Sequence, residues 1–364
     1  MKISKTVLSA GIRRLLAAMI AVMLLTALSG CKNTNKPSDD NGQTSSSQAS
    51  EDGQTATSAP RVDPEIEKEA KARTKSNIEL ALQYVKEKQD RGSSVSYPYE
   101  KNDKAYSKLN EAQKALYDEM LPKVRDFEPF EYTAKEHGYD VLDNVLIASS
   151  ALCDDHPEYE IYFDIVEVFD GDTTTGLKSS YFMPGDPDAK AVDDTAPLKK
   201  EVQIFEEECN QIVGAIPQDF STYDKYRYLA AYISIVTAYD NDFDGGKQTA
   251  TAYGAIQGGK SICQGYSDGF EYLCKKANLW CDQVSGISQD VSHAWNLVKL
   301  ESGTYHVDVT WADADENLTL DDGWQQYFML TQDEILTDHV IEDGTVATGT
   351  VYGSSDAASD SAAG

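Results

Sequence analysis

Residues 252–313 run through a glycine turn, one amphipathic helical pattern and three strand-like segments, and no other stretch restricts the fold as tightly. Gly258, Gly259 and Lys260 read as a turn, after which Cys263 opens a helical pattern. Tyr266, Phe270, Leu273 and Cys274 then share one helical face. Strand character follows over 280–284, 293–300 and 304–311, with Glu301-Ser302-Gly303 as a hairpin signal between the last two. A helix feeding antiparallel strands predicts an α+β fold.

The same stretch carries a thiol, an imidazole and a carboxylate, in that order: Cys263, His293 and Asp308. A thiol nucleophile needs a base, and the base needs a carboxylate that fixes its tautomer. Placed at or just before a helix N-terminus, Cys263 would face unpaired N–H groups and the positive end of the helix dipole, which favour a thiolate. Those N–H groups could also stabilise an oxyanion. Gly265 would let an incoming substrate backbone approach closely. With Ser302-Gly303 as a two-residue loop, strand alternation puts His293 and Asp308 on one sheet face. That register, however, sets Asp308 opposite Leu297, too far from His293. A bulge or a register shift has to close the gap.

Cys263-Gln264-Gly265-Tyr266 after a glycine-lysine turn, then Ser292-His293-Ala294-Trp295-Asn296, then His306-Val307-Asp308-Val309-Thr310-Trp311, resembles the three core motifs of the transglutaminase-like superfamily. Thr310, Trp311 and Asp313 also fit the usual surroundings of the aspartate. The resemblance covers roughly 60 residues and does not extend to the N-terminal half. It implies a papain-like core with Cys263 as nucleophile, His293 as base and Asp308 as orienting carboxylate, performing thiol acyl transfer or hydrolysis on protein or peptide amides, wall peptides included. Gln257, six residues before Cys263, matches the spacing of the oxyanion-hole glutamine in papain-like enzymes. Its alternative reading is a turn residue, and Gln264 is the second oxyanion candidate. A non-catalytic surface binding module that keeps the fold is the competing function.

Acidic residues outnumber basic ones by 61 to 32, which opposes nucleic-acid binding. The surplus would also repel anionic membrane and wall polymers, so any attachment must come from elsewhere. Lys2, Lys5, Arg13 and Arg14 precede an apolar run at 15–28 that ends in Leu28-Ser29-Gly30-Cys31. This resembles a bacterial lipoprotein signal with its lipobox. The resemblance implies cleavage before Cys31, lipidation of its sulfur and an extracytoplasmic body anchored to the membrane. Cys153, Cys209, Cys274 and Cys281 remain; the compartment permits disulfides, and Cys274 with Cys281 reads equally as a bridge or a reduced pair. No Cys/His spacing matches a zinc site, and no cofactor motif is present.

The organisation expected is a signal peptide over 1–30, a disordered tether over 31–62, a mostly helical α+β region of unassigned role over 63–215, the transglutaminase-like domain over 216–340 and a disordered acidic tail over 341–364. Helical patterns start at Asp63-Pro64, with a narrow stripe of Ile78, Leu82 and Val85 that suits an outer helix, and run again over 110–125 and 198–215. Alternation from Tyr159 to Phe169 predicts a strand, and Ser221-x-x-Asp224 a capping box. Asp240 to Gly245 imitates the start of a calcium loop, but position twelve is Thr251 rather than Glu, so an acidic surface turn is expected.

Overall fold

The computed structural model describes residues 64–351, apart from 88, 91, 100–103, 185–190, 244 and 314–325. The expected signal peptide, Cys31 and the tether lie outside the described residues, as does the chain from 352 onward.

Helix α1 (Pro64–Glu87) opens the fold. Its stripe of Ile78, Ala81 and Val85 is buried in the larger of the apolar clusters, so it is a core helix rather than an outer one. The chain then builds a separate lobe from α2 (Glu111–Asp126), β1 (Glu131–Thr133), α3 (Asp140–Asp155) and the hairpin β2 (Phe163–Asp170) with β3 (Thr173–Tyr181). Its three-stranded sheet runs β1-β3-β2. Asn110 and Gln113 close a capping box on α2. The strand expected from Tyr159 begins only at Phe163, because Pro157–Glu160 forms a helical turn first.

Helix α4 (Ala196–Gly214) returns the chain to the larger cluster through Phe205, Cys209 and Ile212. There it joins α5 (Thr222–Val236), which is buried along nearly its whole length and capped by the Ser221 side chain on the Asp224 N–H. A two-residue parallel pair, β4 (Ala238–Tyr239) with β5 (Lys260–Ser261), leads into α6 (Cys263–Lys276). The packing therefore does not divide at residue 215: α1 and α4 share one core with α5 and α6, while the lobe keeps its own. Lys247 donates to the Phe163 carbonyl at 2.7 Å and Lys275 to the Asp155 carbonyl at 2.6 Å, tying lobe to core.

The main sheet comprises β6 (Cys281–Ser288), β7 (Val291–Leu300), β8 (Gly303–Val307), β9 (Phe328–Leu330) and β10 (His339–Ile341), with a helical turn α7 (Val309–Ala312) after β8. Its order is β10-β6-β7-β8-β9, all antiparallel. Val298, Leu300, Tyr305 and Val307 pack towards the helices. Val284, Trp295 and Leu297 form a second small cluster with Ile335 and Ala347. The last of these corrects the expected tail. Beyond Ile341 the chain stays ordered to residue 351, with the Gly349 N–H on the Thr304 carbonyl at 2.9 Å and Ala347 buried. The five cysteines from Cys153 onward are all free thiols, Cys274 and Cys281 included.

Candidate active site

Cys263 is the first residue of α6, and Ile262, extended at φ −100° and ψ 175°, supplies no capping side chain. The first N–H groups of a helix have no partner further back in it, so they converge beside a half-buried thiol. Gly265 is required here by the protein itself. A Cβ at this position would lie 2.2 Å from Ser261 Oγ and 2.5 Å from the Thr249 carbonyl oxygen. The backbone it admits is thus the chain's own 249–251 segment, not that of a substrate.

The hairpin register differs from the expected one by two residues. Leu300 pairs with Gly303 and Asn296 with Val307, which makes Glu301-Ser302 the loop. Gly303 begins the strand at φ +135°, a conformation that favours glycine. A shift of two keeps the face parity and moves Asp308 from the level of Leu297 to that of Trp295. The strand then ends, and Asp308 caps α7 by accepting the Trp311 N–H on Oδ1 at 3.1 Å. Its Oδ2 is thereby aimed at His293 Nε2, 2.7 Å away. The register shift closes the gap without a bulge at Asp308.

Cys263 lies close enough to the His293 ring to help raise its pKa; with Nε2 engaged by Asp308, Nδ1 is the nitrogen left for the thiol. The structure thus brings all three sequence candidates together. Burial of His293 alone would favour the neutral ring, but the Asp308 carboxylate, its bond to the ring and the nearby Cys263 outweigh it and push its pKa up to about 10. Burial opposes ionisation of Asp308 as well, and the two imidazoles beside it overcome that and hold it down at about 2. The ring of Trp295 stacks on His293 at 22° and 5.7 Å, and Trp311 meets it edge-on at 6.4 Å.

The side chains of the two glutamines sit beside carboxylates. Gln264 donates its side-chain amide to Asp268 at 2.9 and 3.0 Å. Gln257, in the π-helical turn Gly254–Gly258, lies close enough to Glu208 of α4 to favour its ionised form, and Glu208 accepts from Thr74 of α1. The first-turn N–H groups of α6 are donors beside the thiol. Asp240 is likewise no surface acid: it is fully buried, accepts the Gly245 N–H and pairs with Lys260 at 2.7 Å.

Sequence reading overlooked His339. Its Nε2 lies 3.1 Å from the same Asp308 Oδ2, and its Nδ1 lies 2.5 Å from Asp338 Oδ1. The signal available was sparse: the chain has five histidines, and one of them follows an aspartate near the end of the fold. Beside it, Trp295 Nε1 donates to His306 Nδ1 at 3.0 Å and His306 Nε2 meets Gln332 Oε1 at 3.2 Å, the pattern of a neutral ring. Burial, with His339 nearby, pushes the His306 pKa down accordingly. His293, Asp308 and His339 also have atoms within 4.8 Å of one another, close enough to consider a metal ion. Ligands around zinc at about 2.0–2.1 Å stand roughly 3.3 Å apart, wider than the 2.7 Å found between His293 and Asp308. The spacing is that of shared protons.

No family model matches the chain, and no curated protein does. Among solved structures, a crystal structure of a TGase is similar over 41% of this chain and 43% of that one, with 14% identity and a TM-score of 0.26. The alignment therefore spans less than half the length of that protein.

Proposed function

We propose that this protein is a transglutaminase-like thiol enzyme with a papain-like core, acting outside the cytoplasm and anchored to the membrane through lipidated Cys31. The observation that carries the reading is Cys263 at the start of a helix, near enough to influence His293, with His293 bonded to Asp308. The N-terminal pattern ending in Leu28-Ser29-Gly30-Cys31 supports the anchor. In the reaction, His293 holds the thiol proton on Nδ1 and Cys263 Sγ bonds to the carbonyl carbon of a protein or peptide carboxamide, whose π electrons move to the oxygen. Asp308 stabilises the imidazolium so formed, and N–H groups of the α6 first turn face the oxyanion. The tetrahedral adduct collapses to a thioester as His293 returns the proton to the leaving ammonia or amine. A second amine, or water, then attacks the thioester, giving transfer or hydrolysis.

The test is to incubate the full chain with glutamine-containing proteins and a labelled primary amine, following label incorporation and ammonia release. Either product, lost in Cys263→Ala, supports the proposal; incorporation identifies transfer, and ammonia without incorporation identifies hydrolysis. Retained ligand capture by Cys263→Ala, with no turnover by the unmodified protein, would identify a binding module instead.

A further inference from the structure

We infer that His339 is a positioning residue for the thiol site, clamping Asp308 through a second hydrogen bond to the oxygen that serves His293. This rests on the thiol reading proposed above. Asp308 Oδ2 takes Nε2 of His293 at 2.7 Å and Nε2 of His339 at 3.1 Å, while Oδ1 takes the Trp311 N–H. Two donors on one oxygen fix its direction more tightly than one, and changing either changes the bond of the other. A histidine serving only to satisfy a buried carboxylate could have used any free lone pair; this one shares the oxygen that orients the base.

The clamp is itself held. The His339 side chain is fully buried, its Nδ1 is 2.5 Å from Asp338 Oδ1, and Asp338 accepts from Tyr327 Oη at 2.7 Å. Trp295, Trp311 and Tyr327 surround the ring at 5.0, 5.8 and 6.1 Å. A carboxylate accepts and cannot donate, whereas a neutral imidazole carries one N–H. Two carboxylate oxygens on its two nitrogens are therefore satisfied only when the Asp338–His339–Asp308 chain holds one further proton. Asp308, Asp338, His293, His306 and Tyr327 are the titratable groups around it. Because Asp338 is 39% exposed, the chain also links the enclosed Asp308 to solvent.

The experiment is alkylation of Cys263 in the full chain by iodoacetamide from pH 5 to 10, quantified on the Cys263 peptide, with a thermal melt of each variant. His339→Ala should slow the reaction at pH 6 by about 10- to 100-fold, the range found when a hydrogen-bond partner behind a metal-ligating histidine is removed, with little change at pH 10. His339→Gln keeps an N–H able to reach Asp308 and should recover most of the loss. A folded His339→Ala protein with the unmodified pH profile overturns the inference, as does a His339→Gln protein no faster than His339→Ala. Should His339→Ala fail to fold, Asp338→Asn, at a partly exposed position, carries the test; a smaller loss at low pH is expected, and an unchanged profile overturns the clamp. His293→Ala separates the two claims. If it too leaves the profile unchanged, the thiol–imidazole reading fails; if it alone loses the low-pH reactivity, only the role of His339 fails.

Discussion

Gly286→Ala is the substitution whose effect can be worked most directly from the geometry. Gly286 lies on β6 opposite His293, beneath the edge strand β10 and against Trp295. A Cβ there would lie 2.0 Å from the Val340 carbonyl oxygen and 2.8 Å from Trp295 Cη2. Carbon and oxygen approach to about 3.3 Å at closest, so β10 must retreat by about 1.3 Å or the indole must tilt. Neither atom belongs to a flexible side-chain end. Strain of this kind costs about 1–3 kcal/mol, which for a fold of this size lowers the melting temperature by roughly 2–4 °C per kcal/mol. The local consequence is sharper. His339 adjoins Val340 on β10, and its 3.1 Å bond to Asp308 does not survive a displacement of that size. Gly286→Ala should therefore melt several degrees lower and also lose low-pH alkylation of Cys263, although the residue touches neither the thiol nor Asp308. A variant that melts within 1 °C of the parent, with the same alkylation profile, would refute the steric argument.

Three further outcomes follow from the same geometry. In Asp308→Asn one amide oxygen cannot accept from Trp311 and two imidazoles while the NH₂ group avoids every donor. Its alkylation rate at low pH should fall below the parent's; an unchanged rate would show that the carboxylate is dispensable. Stability should also follow the His293–Asp308 pair. The depressed Asp308 contributes above its ordinary 3.8 and loses that contribution as pH falls towards 2, while the raised His293 contributes fully below 6.5 and loses it as pH rises through about 10. Urea titrations at pH 3, 5.5 and 9.5 should be highest in the middle, and Asp308→Asn should flatten the difference; equal pH dependence in both proteins would dismiss the pair as its source. Ending the chain after Gly344 removes buried Ala347 and the Thr304–Thr348 bonds of 3.0 and 3.1 Å. At about 1 kcal/mol per bond it should cost about 2–3 kcal/mol by chemical denaturation, and an unchanged midpoint would contradict the docking of this segment.

What the sequence made legible were features carried by local pattern: the start of α6 at Cys263, the Ser221 cap of α5, the helix following Asn110, and the shared face of His293 and Asp308. The hairpin phase was less accessible, because Ser302-Gly303 and Glu301-Ser302 both suit a two-residue loop. The choice falls to Gly303, whose positive φ is used at the strand start. Long-range packing left no local trace. Helices α1 and α4 look like an N-terminal extension by position, yet Ile78, Val85, Phe205 and Ile212 complete the core around α5. Asp240 looks solvated until Lys260 is brought onto it by β4 pairing with β5. The segment after Ile341 is poor in large apolar residues and docks through backbone hydrogen bonds and one alanine, which hydropathy does not register.

The strand order β10-β6-β7-β8-β9 has a consequence for how this protein comes into being. Strands β6, β7 and β8 are successive hairpin neighbours and can pair as soon as they are made, whereas His339 must find Ser288 across some fifty intervening residues. Closing that separation has to precede any gain from the contact. A chain synthesised from its N-terminus therefore presents Cys263, His293 and Asp308 before it can present His339. On this route the Cys263 thiol acquires its final surroundings only when the last strand docks.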